Sequence, residues 1–177
     1  MDKQFTSETS VSKTKQEIIK EAKRIEESTL FSSKGHFVAA RIWTNFHFIV
    51  GIPIVTLAAV AASLSKLNEY QAAAGILSIV VAALSAVQTF LNPNDRSSRH
   101  LNAGNNYDAL QNKVRVFWTI ECWQDNSDKA LTEKVKEFSN QKEKINHSSP
   151  QVPYWAYKIA KSGILAGEAS YQVDKET

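Results

Sequence analysis

Two long apolar runs separated by a short polar segment dominate the pattern of the chain. Residues 42–65 contain no Asp, Glu, Lys or Arg, and neither do residues 70–94. The polar segment between them, residues 66–69, has room only for a turn. Because a hydrocarbon core of ~30 Å needs about 20 residues of α-helix, each run is long enough to cross a bilayer. The pattern predicts a two-helix transmembrane hairpin, with spans at about 42–65 and 70–92.

Two central helices of a water-soluble bundle would give a similar pattern, since they are apolar on all sides. A chain of 177 residues leaves few helices to cover such a pair completely. The nearest charged residues also stop at the ends of the runs, where a bilayer would place them: Arg41, Lys66, Glu69 and Asp95. Length and charge placement therefore favour the membrane interpretation.

Basic residues flank the outer ends of the two runs, whereas the turn between them offers only Lys66. The flanking set is Lys23, Arg24, Lys34, Arg41, Arg96 and Arg99. By the positive-inside rule, this asymmetry predicts that both termini face the cytoplasm and that residues 66–69 face outward. The first run begins after residue 41 and is longer than the apolar part of a signal peptide, so we expect it to remain in the mature protein.

The segments before the first span predict a polar tail followed by a helix. Residues 1–13, rich in Ser, Thr and charge, are expected to be disordered. Residues 14–41 are expected to form a cytoplasmic amphipathic helix and a lead-in to the span. Thr14 and Glu17 have the spacing of a capping box. Apolar residues follow at helical intervals on a charged background: Ile18, Ala22 and Ile25.

Residues 95–177 are predicted to form a cytoplasmic helical region. Asn92 or Asn94 can cap its first helix, with Pro93 in the first turn, where a missing amide hydrogen costs nothing. Two helices with apolar faces follow, separated by a capped turn at residues 125–128. Their faces comprise Tyr107, Leu110, Val114 and Phe117, then Leu131, Val135, Phe138 and Ile145. The last helix begins near Pro153, and its predicted anchors are Tyr154, Trp155, Tyr157 and Ile164.

Each span carries a feature of its own. In the first, Gly51 and Pro53 predict a kink, because proline lacks an amide hydrogen and crowds the preceding turn. In the second, polar residues recur mainly at intervals of seven: Gln71, Ser78, Ser85, Gln88 and Asn92. Such a stripe either packs against another helix or protomer, or lines a water-filled path.

Residue patterns for catalysis or cofactor binding are missing from the sequence. There is no nucleotide-binding loop, no HExxH and no paired-cysteine spacing, and the only cysteine, Cys122, excludes an internal disulfide. The net charge of +3 is spread along the chain, so direct nucleic-acid binding is not expected. We therefore predict no enzyme activity, cofactor or metal. For His36 the sequence leaves open a pH switch near the membrane surface, but favours a simple bond to a carbonyl or headgroup.

Several short motifs together resemble the SLATT family of two-helix membrane effectors. These are residues 34–40 (KGHFVAA), 51–53 (GIP), 88–91 (QTFL), 100–104 (HLNAG) and 152–153 (VP). Their order and spacing around a hairpin carry the resemblance, which extends from about residue 28 to 165. The positions matched most directly are Lys34, His36, Phe37, His100, Gly104, Tyr107 and Pro153.

The resemblance implies a multi-pass protein of the bacterial inner membrane that disrupts the membrane or forms a pore. Such an effector causes growth arrest or death of the host cell in a prokaryotic antiphage system. It also implies a signalling partner, since members are commonly encoded beside nucleotide second-messenger synthetases, messenger sensors or reverse transcriptases. Two spans cannot enclose a channel, so a pore requires a homo-oligomer in the lipid bilayer. Our hypothesis is that Arg41, Arg96 and Arg99 surround its cytoplasmic mouth and disfavour cations. The alternative is a membrane-anchored adaptor or sensor whose hairpin only tethers and oligomerises the helical region.

Overall fold

The computed structural model describes residues 12–171, and the regular structure within that range is entirely helical. The helices are α1 (Lys13–Leu64), α2 (Gln71–Leu91), α3 (Pro93–Thr119), α4 (Asp128–Ser148) and α5 (Tyr154–Leu165), with 3-10 turns at Asn68–Tyr70 and Glu121–Trp123. The predicted all-helical class is confirmed. Most of the tail predicted to be disordered lies outside the described residues, and Lys13 at its end already belongs to α1.

Helix α1 is continuous through the region that the sequence divides into a helix, a lead-in and a first span. The predicted capping box is wrong. The Ser12 hydroxyl accepts a hydrogen bond from the Lys15 amide at 3.0 Å, so Ser12 caps the helix and Thr14 lies within its first turn. Pro53 lies inside α1, which continues as a helix beyond it. The predicted kink at this position stays a prediction.

The apolar parts of α1 and α2 are long enough and apolar enough to cross a membrane, and they are hardly covered by protein. In each, only 6% of the most apolar 18-residue window is buried. Large apolar side chains point away from the protein, including Ile79 at 71% exposure and Phe90 at 86%. α1 ends at Leu64 and α2 begins at Gln71, which puts the connecting turn where the sequence predicts it.

The described residues form two compact units, and the first comprises residues 12–33 and 105–149. Its core joins α1, α3 and α4 through the apolar positions predicted from helical spacing. At its centre, the rings of Phe117 and Phe138 meet edge to face with centroids 5.4 Å apart. Cys122 is fully buried in the same cluster. The predicted cap of α4 is confirmed, since the Ser127 hydroxyl accepts a hydrogen bond from the Ala130 amide.

The second unit comprises residues 34–104 and 150–171, and therefore holds both apolar runs. Asn92 ends α2 in the left-handed conformation, with φ of 42°, and Pro93 begins α3 as predicted. In α5 the predicted anchors are wrong. Tyr154 is 71% exposed, and Trp155 and Tyr157 are also exposed, whereas the buried residues are Ala156 and Ala160. Ile164 is half-buried. Alanine packs here because its short side chain allows close contact between helices.

Candidate functional site

A buried pair of histidines joins two of the positions that carry the family resemblance. His36 in α1 and His100 in α3 are 64 residues apart in sequence, yet their Nδ1 atoms lie 2.9 Å apart. Their exposed fractions are only 2% and 5%. At this distance one Nδ1 donates its hydrogen and the other accepts it, so the two rings hold complementary neutral tautomers. His36 thus bonds a second histidine through Nδ1. The predicted bond to a carbonyl or headgroup stays a prediction.

Both histidines resist protonation. The pKa of His36 is lowered to about 4. Burial is the larger cause, and the facing His100 is the second. Burial also lowers the pKa of His100, with the nearby positive charge of Arg96 as the second cause. Protonation of the accepting Nδ1 would also set two N–H donors against each other across the 2.9 Å gap. The pair is therefore neutral at pH 7, and adding a charge to it is unfavourable.

Two glycines allow close packing beside the histidine pair. A Cβ on Gly104 would lie 2.7 Å from Cε1 of Phe37, so the Phe37 ring packs directly on the glycine backbone. Similarly, a Cβ on Gly35 would lie 3.0 Å from a methyl carbon of Val152, the residue before Pro153. The motif segments at residues 34–40, 100–104 and 152–153 therefore meet in one place.

Tyr107, another position of the resemblance, belongs to the first unit. Its hydroxyl donates a hydrogen bond to Oδ1 of Asn146 at 2.5 Å. Burial raises the pKa of the Tyr107 hydroxyl, and a hydrogen bond with Ser149 partly offsets that rise. Tyr107 therefore ties α3 to α4 within its own unit.

The polar stripe of α2 does not form a uniform surface. Nε2 of Gln88 lies 3.1 Å from Nδ1 of His47 in α1. Gly51 leaves room for the Gln88 amide, because a Cβ there would lie 3.3 Å from the same nitrogen. The Ser78 hydroxyl donates to the carbonyl of Ala74 in its own helix at 2.8 Å. Among the rest, Ser85 is half-buried while Gln71 and Asn92 are exposed.

The three arginines predicted to surround a pore mouth differ in their surroundings. Arg96 donates to the Leu91 carbonyl at 2.7 Å, and its guanidinium lies 5.1 Å from the centre of the Trp43 ring. Arg99 forms an exposed ion pair with Asp95 at 2.8 Å. Arg41 makes no ion pair with any residue in the range 12–171. Its charge is therefore the one most available to a ligand.

Next to Arg41, a short chain of hydroxyls links α1 to α3. The Ser97 hydroxyl donates to the Ala40 carbonyl at 3.0 Å. The Thr44 hydroxyl lies 2.7 Å from the Ser97 oxygen. Since the Ser97 hydrogen is already directed to the carbonyl, Thr44 is the donor in this second bond. These bonds hold the wall of a cavity of about 790 Å³ that the sequence did not predict. Its walls come from three distant segments, so no local pattern could have found it.

Within residues 12–171, no three His, Cys, Asp or Glu side chains come together in a way that could hold a metal ion. Comparisons with family models, with curated proteins and with solved structures find no match to this chain. The resemblance described above therefore rests on the sequence motifs alone.

Proposed function

We propose that this chain is a membrane effector whose α1 and α2 insert as a hairpin into the inner membrane of a prokaryote. Copies of the hairpin then assemble into a pore, or otherwise disrupt the membrane, and so stop growth of a phage-infected cell. The observation that carries the membrane part of this proposal is the bare apolar surface of the two helices, with 6% of each apolar window buried.

Lipid is the solvent in which such a surface is favourable. A large apolar side chain left in water forgoes about 1.5–3 kcal/mol relative to burial, and many such side chains are exposed here. The lengths also fit. At 1.5 Å per residue, residues 42–64 extend roughly 34 Å and α2 extends roughly 32 Å, against a hydrocarbon core of ~30 Å. The surface and the lengths together support a hairpin across the bilayer.

Residues near the ends of the two helices fit a membrane–water interface. Trp43 stacks with Arg96 close to the end of α2. On α5, Tyr154 and Tyr157 are exposed, and Nζ of Lys158 lies 5.3 Å from the centre of the Tyr154 ring. Aromatic and basic side chains of this kind concentrate at headgroup level. This supports a position of α5 at a membrane–water interface. The positive-inside rule assigns that interface, in the proposal, to the cytoplasmic side.

The pore part of the proposal depends on assembly, because two helices cannot surround a water-filled path. Gln71, Ser78 and Asn92 are exposed on α2 and are available to neighbouring copies. One observation favours the second candidate, a non-conducting membrane anchor. The Ser78 hydroxyl and the Gln88 amide already have partners within the chain, so neither requires water.

Substitutions on α2 separate the two candidates. Replacing Ser78 and Ser85 by Leu makes the stripe more apolar. The matched control replaces Ala72 and Ala83 by Leu; both are exposed and lie on the other side of the helix. We measure dye leakage from liposomes that contain the purified full chain. If the stripe lines a pore, the rate of dye leakage should fall at least tenfold in the serine variant. The alanine variant should leak at the wild-type rate.

Two results of this experiment would contradict the pore. One is leakage from the serine variant that equals the wild type, which would exclude the stripe as its lining. The other is a wild-type chain that inserts into liposomes without releasing dye, and that does not depolarise cells when expressed. That result would favour the anchor. Sedimentation of the liposomes on a density gradient confirms that every variant has inserted.

A further inference from the structure

The cavity beside Arg41 has the chemistry of an anion site. It lies within the second unit and has a volume of about 790 Å³. α1, α3, α5 and the turn after α5 provide its walls. Two cations line it, Lys34 and Arg41, and neither forms an ion pair with another residue of the described part of the chain. A cavity lined by two cations that form no ion pair attracts an anion.

One carboxylate also lines the cavity and affects which ligand charge the cavity favours. Gly167 has φ of 90°, which lets the chain turn back after α5, and the Glu168 amide then bonds the Gly163 carbonyl at 3.1 Å. The Glu168 carboxylate occupies the space that a Cβ on Gly163 would need. With Lys34 and Arg41 opposed by one acid, the cavity carries a net charge of +1. This balance suits a monoanion and disfavours a dianion.

The remaining walls are divided between polar and apolar groups. Thr44, Asn45, Ser97 and Ser162 offer hydroxyl and amide groups. Apolar groups form the rest: Phe37, Val38, Leu101 and Ile159. A ligand with an anionic polar part and an apolar part matches both sets of groups.

We infer that this cavity binds a phosphodiester monoanion, supplied by the headgroup of phosphatidylglycerol in the cytoplasmic leaflet. Lys34 and Arg41 hold the phosphate, and Glu168 accepts hydrogen bonds from the glycerol hydroxyls. The inference rests on the proposed membrane placement, because Arg41 immediately precedes the first apolar run and so lies at headgroup level. Basic pockets between helices at that level are a recurrent way to bind anionic lipid.

The test uses the full chain in uncharged detergent, titrated with phosphatidylglycerol and followed by native mass spectrometry. Arg41→Gln and Lys34→Gln should each weaken binding about tenfold, as expected for loss of a charged hydrogen bond. Arg99→Gln is the matched control, because Arg99 is basic and close in sequence to the end of α2 but does not line the cavity. It should bind as the wild type does.

Several outcomes would overturn the inference. Equal losses in Arg41→Gln and Arg99→Gln would show general attraction to surface charge. Unchanged binding in both cavity variants would exclude the cavity. Equal affinity for the zwitterionic phosphatidylethanolamine would show that the net charge of the ligand is not recognised.

Two further measurements complete the test. One distinguishes a lipid from a soluble ligand, and the other shows whether the membrane proposal itself fails. Competition by soluble glycerophosphoglycerol at the same concentration as the lipid would support the site and assign it a soluble ligand; lack of competition would support the lipid. Flotation with phosphatidylcholine vesicles tests membrane insertion independently of the headgroup. A chain that floats but does not distinguish the lipids refutes this inference alone, whereas a chain that does not float refutes the proposed function.

Discussion

Acidification should destabilise the protein through one identifiable group, His36. An unfolded histidine has a pKa of ~6.5, whereas burial and the facing His100 lower the pKa of His36 in the folded protein to about 4. Between these values the unfolded chain binds more protons than the folded one. His36 therefore contributes stability that is complete above pH ~6.5 and is lost as the pH falls towards 4.

The size of this contribution follows from the two pKa values. Each pH unit of difference corresponds to about 1.4 kcal/mol, so the full loss is at most about 3.5 kcal/mol. We would measure the free energy of unfolding in uncharged detergent at pH 7.5 and 4.5, for the wild type and for His36→Gln. Protonation of carboxylates lowers the free energy of unfolding of both proteins alike. The difference between the two proteins therefore isolates the contribution of His36. We expect that difference to change by about 2–3 kcal/mol between the two pH values.

Nuclear magnetic resonance of labelled histidine provides the direct check. In the folded protein His36 should remain neutral down to pH ~5. In His100→Gln, the pKa of His36 should rise above 4 but stay below 6.5, because burial, the larger cause, remains. The reasoning is refuted if His36 titrates near pH 6.5 while the protein is folded, or if wild type and His36→Gln lose stability in parallel.

Three further predictions concern packing and helix capping. Gly104→Ala should lower the free energy of unfolding by about 1–3 kcal/mol, because its Cβ would overlap the Phe37 ring. Gly75→Ala, with nothing within 4 Å of its Cβ, should stabilise α2 by up to about 1 kcal/mol; equal effects of the two would contradict the packing argument. Phe117→Ala should cost about 3–5 kcal/mol on chemical unfolding, and a loss below ~1 kcal/mol would contradict a core centred on this ring. Ser127→Ala should cost about 1 kcal/mol and speed amide exchange in the first turn of α4, whereas unchanged exchange would argue against the cap.

The features that the sequence predicts correctly are local ones. The apolar runs carry no charge over their whole length, so their helices and the turn between them follow from composition alone. The faces of α3 and α4, including Val114 and Leu131, follow from helical spacing. The capped turn at residues 125–128 and the first-turn position of Pro93 follow from local residue chemistry. None of these predictions needs knowledge of which helices are neighbours.

The predictions are wrong where contacts with neighbouring helices, or two possible capping residues, determine the structure. Ser12 and Thr14 both offer a capping hydroxyl, and the spacing of Thr14 to Glu17 cannot show which one starts the helix. The sequence separates a helix and a lead-in from the first span, yet α1 is continuous through all three. At Gly35, Val152 packs where a side chain would be. In α5 the large residues suggest anchors, but close contact selects Ala156 and Ala160.

The histidine pair and the cavity depend on the relative register of helices that are far apart in sequence. His36 and His100 face each other only because α1 and α3 pack in one particular register. No periodic pattern within either helix encodes that register. For the same reason Arg41 appears in the sequence as a flanking charge, while in the structure it lines a cavity with Lys34 and Glu168.

The contact between α2 and lipid is the central claim, and a spin label at Ile79→Cys tests it most directly. Ile79 is 71% exposed. Cys122 is fully buried, and burial raises the pKa of its thiol, so it should react slowly with the label. In liposomes, the label at position 79 should collide often with oxygen, which concentrates in lipid, and rarely with a water-soluble nickel chelate. A label at Ile120→Cys, outside the apolar runs, should show the opposite preference. Frequent nickel collisions at position 79 would contradict the account.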